Sequence, residues 1–412
     1  MSKNNSTISS LDYSFNPRHA LIGSQMFFVA FGALVLVPLL TGLNPSVAMF
    51  TAGLGTLAFQ IITKGRVPIF LASSFAFILP IQQGIAQWGL PATLCGLVAS
   101  GILYMLLSFL VLKQGVRIIE RFLPSIVTGP VIMVIGLSLA PVGVNMAFGN
   151  GTSIPPETSL TIAMISLGAT ILATIWGRGL IKLIPIICGI VVGYAVSLGV
   201  GIVDFAPVKA APWLAIPDFT MPEWNWQAVL YIVPIAIAPA IEHVGNVFAI
   251  SAVTGRDYTK DPGLHRTLLG DGVATMLASF VGGPPNTTYA EVTGGVVLTR
   301  AFNPGVMTWA AISAICLAFV GKLGALLMTI PVPVMGGIMI LLFGAIVVVG
   351  MNSLAHCKQD LTAPRNMVII SVIMVFGLGG MVIGSGDLAL KGIGLAGISG
   401  LLLHLIIPGG KS

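Results

Sequence analysis

Charged side chains are scarce in this 412-residue sequence. It contains 19 Lys and Arg residues and 13 Asp and Glu residues, or 8% of the chain, whereas an ordinary soluble domain has roughly 25%. Apolar residues make up 56% of the chain, and the mean hydropathy is +1.00. Because a water-soluble fold cannot cover its surface with so few charges, the sequence excludes a soluble protein and predicts an integral membrane protein.

Three further signals are missing. The four cysteines form no C-x-x-C pair, so we expect packing residues and neither a disulfide framework nor a metal site, and no cofactor. The basic residues occur singly or in pairs, which excludes a tract that follows nucleic-acid phosphates. The polar first 19 residues lead into no short apolar segment with a cleavage site, so we expect the first span to be retained.

Long apolar runs fill the rest of the chain. Fourteen runs approach the length of about 17 to 25 residues that a transmembrane helix needs, and the 50 glycines suit closely packed helices. The predicted fold class is therefore an all-α polytopic membrane protein, with short strand-like breaks in the third and tenth spans. The runs are 19–41, 45–63, 68–82, 90–112, 124–147, 159–176, 182–204, 226–252, 264–282, 286–299, 303–321, 330–350, 366–384 and 390–408.

The basic residues are distributed unevenly between the two sides of the membrane. If the N-terminus is inside, only Lys209, Lys322 and Lys391 lie outside. An excess of Lys and Arg marks cytoplasmic segments, so we expect an even number of spans and both termini in the cytoplasm. The inside set is Lys3, Arg18, Lys64, Arg66, Lys113, Arg117, Arg121, Arg178, Lys182, Arg256, Lys260, Arg266, Arg300, Lys358, Arg365 and Lys411.

An internal repeat relates the two halves of the chain. LPSIVTGPVIMVIG resembles IPVPVMGGIMILLFG, and Pro124 and Gly129 match Pro331 and Gly336 at the same offset of 207 residues. Seven spans per half is an odd number, so the second copy must enter the membrane from the opposite side. This inverted repeat is typical of secondary transporters; the alternative is chance similarity between two apolar stretches.

Two broken spans occupy corresponding positions in the halves. One reads VPIFLASSFAFILP over residues 67–80, and the other reads GGPPNTTYAEVTGG over residues 282–295. Their central Ser, Phe, Thr and Tyr residues favour strand over helix, so we expect a short extended stretch followed by a half-helix in each. Such a pair of interrupted segments is the best sequence indication of a substrate site.

Two carboxylates lie deep within apolar spans. Glu242 is in APAIEHVGN of the eighth span, and Glu291 is in the broken tenth span. Burying an ionisable group in a membrane is costly, which makes both functional candidates. The structural alternative is a carboxylate paired with a buried cation, but no Lys or Arg is close to either in the sequence. Carboxyl groups held away from water can exchange a proton near neutral pH, as a proton-driven carrier requires.

The predicted site favours a particular kind of ligand. Carboxylates accept hydrogen bonds from N–H donors, whereas the free backbone N–H groups of broken helices favour acceptors. A small, flat, neutral molecule that offers both, such as a lactam or nucleobase, fits better than an inorganic anion. Phe75, Tyr289 and Phe343 are candidates to cover the faces of a ring, and ordinary core packing is the alternative for each.

Other polar residues near the glutamates are expected to support the site. His243 follows Glu242 but points about 100° around the helix, which favours packing over a proton relay. Asn246 is four residues after Glu242 and shares its face, so it could orient the carboxylate. Ser74, in the first broken span, is assigned a similar supporting role. For Asp271, within LLGDGVAT, a structural hydrogen bond is the favoured interpretation.

Several motifs resemble those of one transporter family. The run PPNTTYAEVTGGVVLTR resembles the signature of the nucleobase–ascorbate transporter family, and Glu291, Gly294, Thr299 and Arg300 match its key positions. AIEHVGN, ASSFAF, DPGLHR, FGALVLVP and IPVPVMGG also resemble segments of bacterial uracil permeases. The resemblance extends from about residue 20 to residue 405.

The resemblance implies a fold and a site. It implies two inverted seven-span repeats, with a core domain at 19–113 and 226–322, a gate domain at 114–225 and 323–412 and a cytoplasmic tail at 1–18. It implies a homodimer formed through the gate domains. It also implies that the acidic side chains of Glu242 and Glu291 and main-chain groups at Phe75 and Ala290 bind uracil.

Three departures from the family pattern leave alternatives open. The signature asparagine is Val292 here, Asn246 replaces a frequent histidine, and Phe343 replaces a frequent tyrosine. The sequence therefore predicts a proton-coupled uracil importer of the cytoplasmic membrane, with sodium coupling as an alternative. A carrier of xanthine or urate is the nearest rival. An anion exchanger of the same architecture is a weaker one, because two carboxylates repel an anion, and an intramembrane enzyme is a remote third.

Overall fold

The computed structural model describes residues 9–115, 124–355, 357, 359–384 and 390–408, with the side chain of Ala290 excepted. Seven helical stretches in these ranges are long and apolar enough to cross a membrane, and four more apolar helices are shorter. The prediction of a polytopic α-helical membrane protein is therefore confirmed. The predicted cytoplasmic residues Lys3, Arg117, Arg121, Lys358 and Lys411 lie outside the described ranges.

Within the described residues, the first half of the chain contains seven α-helices. Gly42, in the left-handed conformation at φ 76°, ends the first, and the Asn44 side chain accepts a hydrogen bond from the Ser46 amide to cap the second. The third helix joins the predicted third and fourth runs and has a non-helical residue at Gly89. The helices are α1 (Ala20–Thr41), α2 (Pro45–Ile62), α3 (Ile78–Gln114), α4 (Ser125–Ala147), α5 (Pro156–Trp176), α6 (Leu180–Leu183) and α7 (Pro185–Val200).

The second half repeats the pattern of long and interrupted helices. Its members are α8 (Ala206–Ala210), α9 (Trp226–Ile232), α10 (Ile237–Thr254), α11 (Leu264–Phe280), α12 (Ala290–Thr299), α13 (Gly305–Ala318), α14 (Gly321–Met328), α15 (Val332–Ala355), α16 (Pro364–Leu378) and α17 (Gly392–Ile406). Short 3-10 segments span Pro17–His19, Phe75–Phe77 and Val233–Ala236, and a π-helical turn spans Thr259–Gly263.

Four short strands among the described residues form two antiparallel pairs. β1 (Leu71–Ser73) pairs antiparallel with β2 (Asn286–Thr288), with Leu71 opposite Thr288 and Ser73 opposite Asn286. All residues of both strands are buried. β3 (Val382–Ile383) pairs with β4 (Leu390–Lys391). The first pair joins two segments that are far apart in the sequence and so brings the two halves of the chain together.

The helices pack in two groups. In one, α11 packs extensively on α3 and α2, and α13 packs on α2 and α1. In the other, α15 packs on α4 and α5, α5 on α7, and α16 on α17 and α4. The first group contains the helices that flank β1 and β2, so the buried strand pair belongs to it.

Paired glycines permit a close helix contact in each group. A Cβ atom added to Gly101 on α3 would lie 2.6 Å from the Gly272 carbonyl oxygen on α11. One added to Gly350 on α15 would lie 2.6 Å from the Gly129 carbonyl oxygen on α4. Backbone atoms cannot move aside as flexible side chains do, so these positions require the absence of a side chain. Small residues at such contacts are the usual basis of helix packing in membranes.

We expect Gly350→Ala to lower the melting temperature of the detergent-solubilised protein, because the added methyl group meets the backbone of α4. Overpacking of this kind typically costs about 1–3 kcal/mol. Gly344 on the same helix is the matched control, since a Cβ atom there has no neighbour within 4 Å. The measurement is thermal unfolding of both variants; equal melting temperatures would contradict the close contact between α4 and α15.

Candidate functional site

The two buried strands each run into the N-terminus of a helix. β1 is followed by the 3-10 turn that begins at Phe75 and continues as α3, and β2 is followed by α12, which begins at Ala290. The first N–H groups of a helix have no partner within it, and they carry the positive end of the helix dipole. Because the strands are antiparallel neighbours, the two sets of free N–H groups flank one crossing point in the protein interior.

The aromatic and hydroxyl side chains at the crossing are buried. The ring centroids of Phe75 and Tyr289 are 5.9 Å apart, with an angle of 44° between the ring planes. Within the described ranges, the Tyr289 hydroxyl and the Ser74 hydroxyl have no hydrogen-bond partner. Buried polar groups of this kind normally find a partner, so both are available to a bound ligand.

Both predicted carboxylates lie near the crossing. Glu242 is half-buried on α10, and Glu291, in the first turn of α12, is accessible through a cavity. The four salt bridges found among the described residues involve neither of them. Neither carboxylate is therefore paired with a basic side chain within the described part of the chain.

Asn246 contacts the strand β2. Its side-chain nitrogen donates to the Thr288 carbonyl oxygen at 2.7 Å and lies 3.3 Å from the Thr288 hydroxyl. Asn246 shares a helix with Glu242, as predicted, but its amide fixes the strand that carries Tyr289 and Ala290. Thr288 was not singled out from the sequence, although it lies in the NTTY run, because the partner of its side chain is on another helix.

Phe343 occupies a different environment from Phe75 and Tyr289. It is buried on α15, and its ring would lie 3.4 Å from a Cβ atom at Gly143 on α4. The contacts of Phe343 with α4 are those of a packing residue within the second helix group. The role of Phe343 at a substrate site stays a prediction.

A cavity opens beside Glu291, between the two helix groups. It has a volume of about 190 Å³ and is lined by Phe28 and Val29 of α1, by Gly294 and Leu298 of α12 and by residues 182–187. A second cavity of about 330 Å³ shares Lys182, Leu183 and Leu298 with it. Together they form a path that leads to Glu291. Lys182 at this path was predicted only as a topological charge, because nothing in the sequence placed it beside α12.

This architecture, with broken helices, free helix ends and an open path to one carboxylate, defines a polytopic membrane transporter. The model of a protein family described as "Permease family" matches residues 18–385 of the chain. The chain belongs to this permease family.

Relatives of similar length support that membership. A probable uracil permease of Pasteurella multocida (strain Pm70) is 55% identical over 395 residues, which cover 96% of this chain and 95% of the relative. The uracil permease of Bacillus subtilis (strain 168) is 43% identical, with coverage of 94% and 92%. That of Escherichia coli (strain K12) is 39% identical, with coverage of 93% and 89%. The resemblance predicted from the motifs is thus confirmed, and the family is one of transporters rather than enzymes.

Solved structures show the same fold at low sequence identity. The transmembrane domain of a cyanobacterium bicarbonate transporter, BicA, has a TM-score of 0.70 at 13% identity, with 96% of this chain and 99% of that one covered. The overall structure of SLC26A9 also has a TM-score of 0.70 at 13% identity, with coverage of 94% and 64%. At such identity the comparison establishes the fold alone.

We expect a cysteine at position 298 to react with a water-soluble thiol reagent, because Leu298 lines both cavities, whereas burial in apolar surroundings suppresses the reactive thiolate. Val296→Cys is the control on the same helix, since Val296 is fully buried. The measurement is the labelling rate in a background in which Cys95, Cys188, Cys316 and Cys357 are replaced by serine or alanine. Equal labelling at 296 and 298 would contradict the open path.

Proposed function

We propose that this permease imports uracil across the cytoplasmic (inner) membrane by proton symport. The observation that carries the proposal is the combination of two carboxylates that form no salt bridge among the described residues and two helix N-termini that follow one strand pair. Uracil offers two ring N–H groups and two carbonyl oxygens, which complement these acceptors and donors. The names of the relatives, uracil permeases at 39–55% identity, support the same substrate.

Each group at the crossing then has a defined role. The carboxylates of Glu242 and Glu291 accept hydrogen bonds from the base N–H groups. Backbone N–H groups near Phe75 and Ala290 donate to its carbonyl oxygens. The Phe75 and Tyr289 rings, and the Phe343 ring from the other helix group, cover the faces of the base.

Proton coupling follows from the charges at the site. Two neighbouring carboxylates that lack a salt-bridge partner repel one another in a medium of low dielectric constant. Binding a proton at Glu242 or Glu291 relieves this repulsion, so we propose that at least one of them carries the coupled proton. Charge neutralisation would also favour the movement of the loaded site across the membrane. Sodium coupling remains the alternative and is an arm of the experiment below.

The architecture supports alternating access between two rigid parts. We propose fourteen spans in two inverted repeats, with both termini in the cytoplasm. The core domain comprises 19–113 and 226–322, and the gate domain comprises 114–225 and 323–412. The strand pair and the two packing groups support this division, and the cavity beside Glu291 lies between the groups. Movement of the core against the gate would expose the site to each side in turn, and the gate domains would form the contact in a homodimer.

We expect Glu242→Gln and Glu291→Gln each to reduce proton-driven uracil uptake by at least about tenfold, because a hydrogen bond to a charged group contributes about 1.5–3 kcal/mol. The assay is uptake into proteoliposomes under an imposed proton gradient, with and without sodium. Glu157→Gln is the matched control, since Glu157 is exposed in the first turn of α5. Full uracil accumulation in either site variant would refute the assignment.

The same assay separates the rival substrates. Xanthine and urate compete with labelled uracil if the protein is a purine carrier, and bicarbonate or chloride competes if it is an anion exchanger. The competition with bicarbonate and chloride is included because the chain shares its fold with a bicarbonate transporter. We expect unlabelled uracil to compete far more effectively than any of these, since the two glutamates disfavour an anion.

A further inference from the structure

A buried ionisable pair lies behind the strand β2. The Nδ1 atom of His243 on α10 is 3.4 Å from the Oδ2 atom of Asp271 on α11, and neither side chain is exposed. The imidazole ring also meets the Phe59 ring of α2 edge-on, with centroids 6.4 Å apart. His243 directly follows Glu242 in the chain, so the pair stands one residue away from the proposed substrate site without facing it.

The strand is tied to this pair by two successive threonines. The Thr287 hydroxyl donates to Asp271 Oδ2 at 3.5 Å, and the Thr288 hydroxyl lies 3.3 Å from His243 Nδ1. The amide of Asn246, on the same helix as His243, adds the bond to the Thr288 carbonyl oxygen. The pair is therefore the junction at which α10, α11 and β2 meet.

Because both side chains are buried, the junction depends on both His243 and Asp271. In the described ranges, the other three salt bridges join Arg66 and residues between 256 and 261 at an accessible loop, so the His243 imidazole is the one ionisable partner found within 4 Å of the Asp271 carboxyl group. The other titratable groups near Asp271 are Glu242 on α10 and the buried Tyr104 on α3. Removing one member of a buried pair leaves an uncompensated polar group and is far more costly than removing both.

We infer that His243 and Asp271 are a positioning pair that fixes the rotation of α10 and thereby aims Glu242 at the crossing. Successive helical residues are about 100° apart. With His243 anchored to α11 and β2, the direction of Glu242 is determined. The inference rests on the proposed function for its substrate assay, but the direction of α10 can also be measured without any substrate.

The first experiment is a double-mutant cycle with Asp271→Asn, His243→Gln and the combined variant. We expect each single change to raise the Kd and KM for uracil by at least about tenfold, with a smaller effect on the maximal rate. We expect the Kd and KM of the combined variant to be no higher than those of the more impaired single variant, because the effects of substitutions at coupled residues are not additive. Asp257→Asn with Lys260→Gln is the matched control, since this exposed pair, 3.2 Å apart, should leave both constants unchanged.

The second experiment measures the rotation of α10 through the thiol labelling of a cysteine on this helix. Gly245 is exposed on α10, with no atom within 4 Å of an added Cβ atom. We expect Gly245→Cys, in the cysteine-replaced background, to change its thiol labelling rate severalfold when Asp271→Asn is added. Gel filtration and thermal unfolding identify variants that fold, and only these are compared.

The outcomes separate the two proposals. An unchanged labelling rate at 245, or additive losses of uracil affinity in the combined variant, would overturn the positioning role. A failure of the unmodified protein to bind uracil would overturn the proposed substrate instead. The labelling rate would then decide the positioning role alone.

Discussion

Backbone N–H and C=O groups inside a bilayer must find partners within the protein, and the pairing of β1 with β2 meets this requirement for two broken spans at once. Ser74 extends the pairing, because its amide donates to the Pro285 carbonyl oxygen at 2.9 Å. The Thr56 hydroxyl accepts a bond from the Leu71 amide, so neighbouring helices also hold the strands. The helix ends can keep free N–H groups because the backbone hydrogen bonds of the preceding strands are already formed. The candidate site depends on that arrangement.

The distribution of charge follows the same logic. The arginines Arg66 and Arg256 meet Asp261 at an accessible loop, where the hydrogen bond from Arg256 holds the pKa of the Asp261 carboxyl below its ordinary value. Such exposed pairs contribute little to stability. In the interior, by contrast, Asp271 has an imidazole partner, whereas the salt bridges among the described residues include neither Glu242 nor Glu291. An unpaired carboxylate is costly there, which is the physical reason to assign those two to a ligand and Asp271 to the scaffold.

Much of the site could be predicted from residues whose environment is local. Apolar runs located the long apolar helices, and strand-favouring residues between prolines located β1 and β2. The isolation of Glu242 and Glu291 among apolar residues marked both as candidates. The neighbours of these residues could not be predicted in the same way. Helix geometry placed Asn246 on the face of Glu242, but its amide bonds Thr288. Asp271 was expected to form a structural hydrogen bond, yet its pairing with His243 joins two helices and has no signature in either segment.

The sequence by itself determined that this chain is a membrane protein, where its long apolar helices lie and which two carboxylates are exceptional. Hydropathy and the cost of burying charge depend on each residue and its near neighbours. Only the tertiary structure decided that α15 approaches α4 through Gly350, that Phe75 lies beside Tyr289 and that His243 meets Asp271. These contacts join segments distant in the chain, and their geometry is set by how whole helices and strands pack against one another.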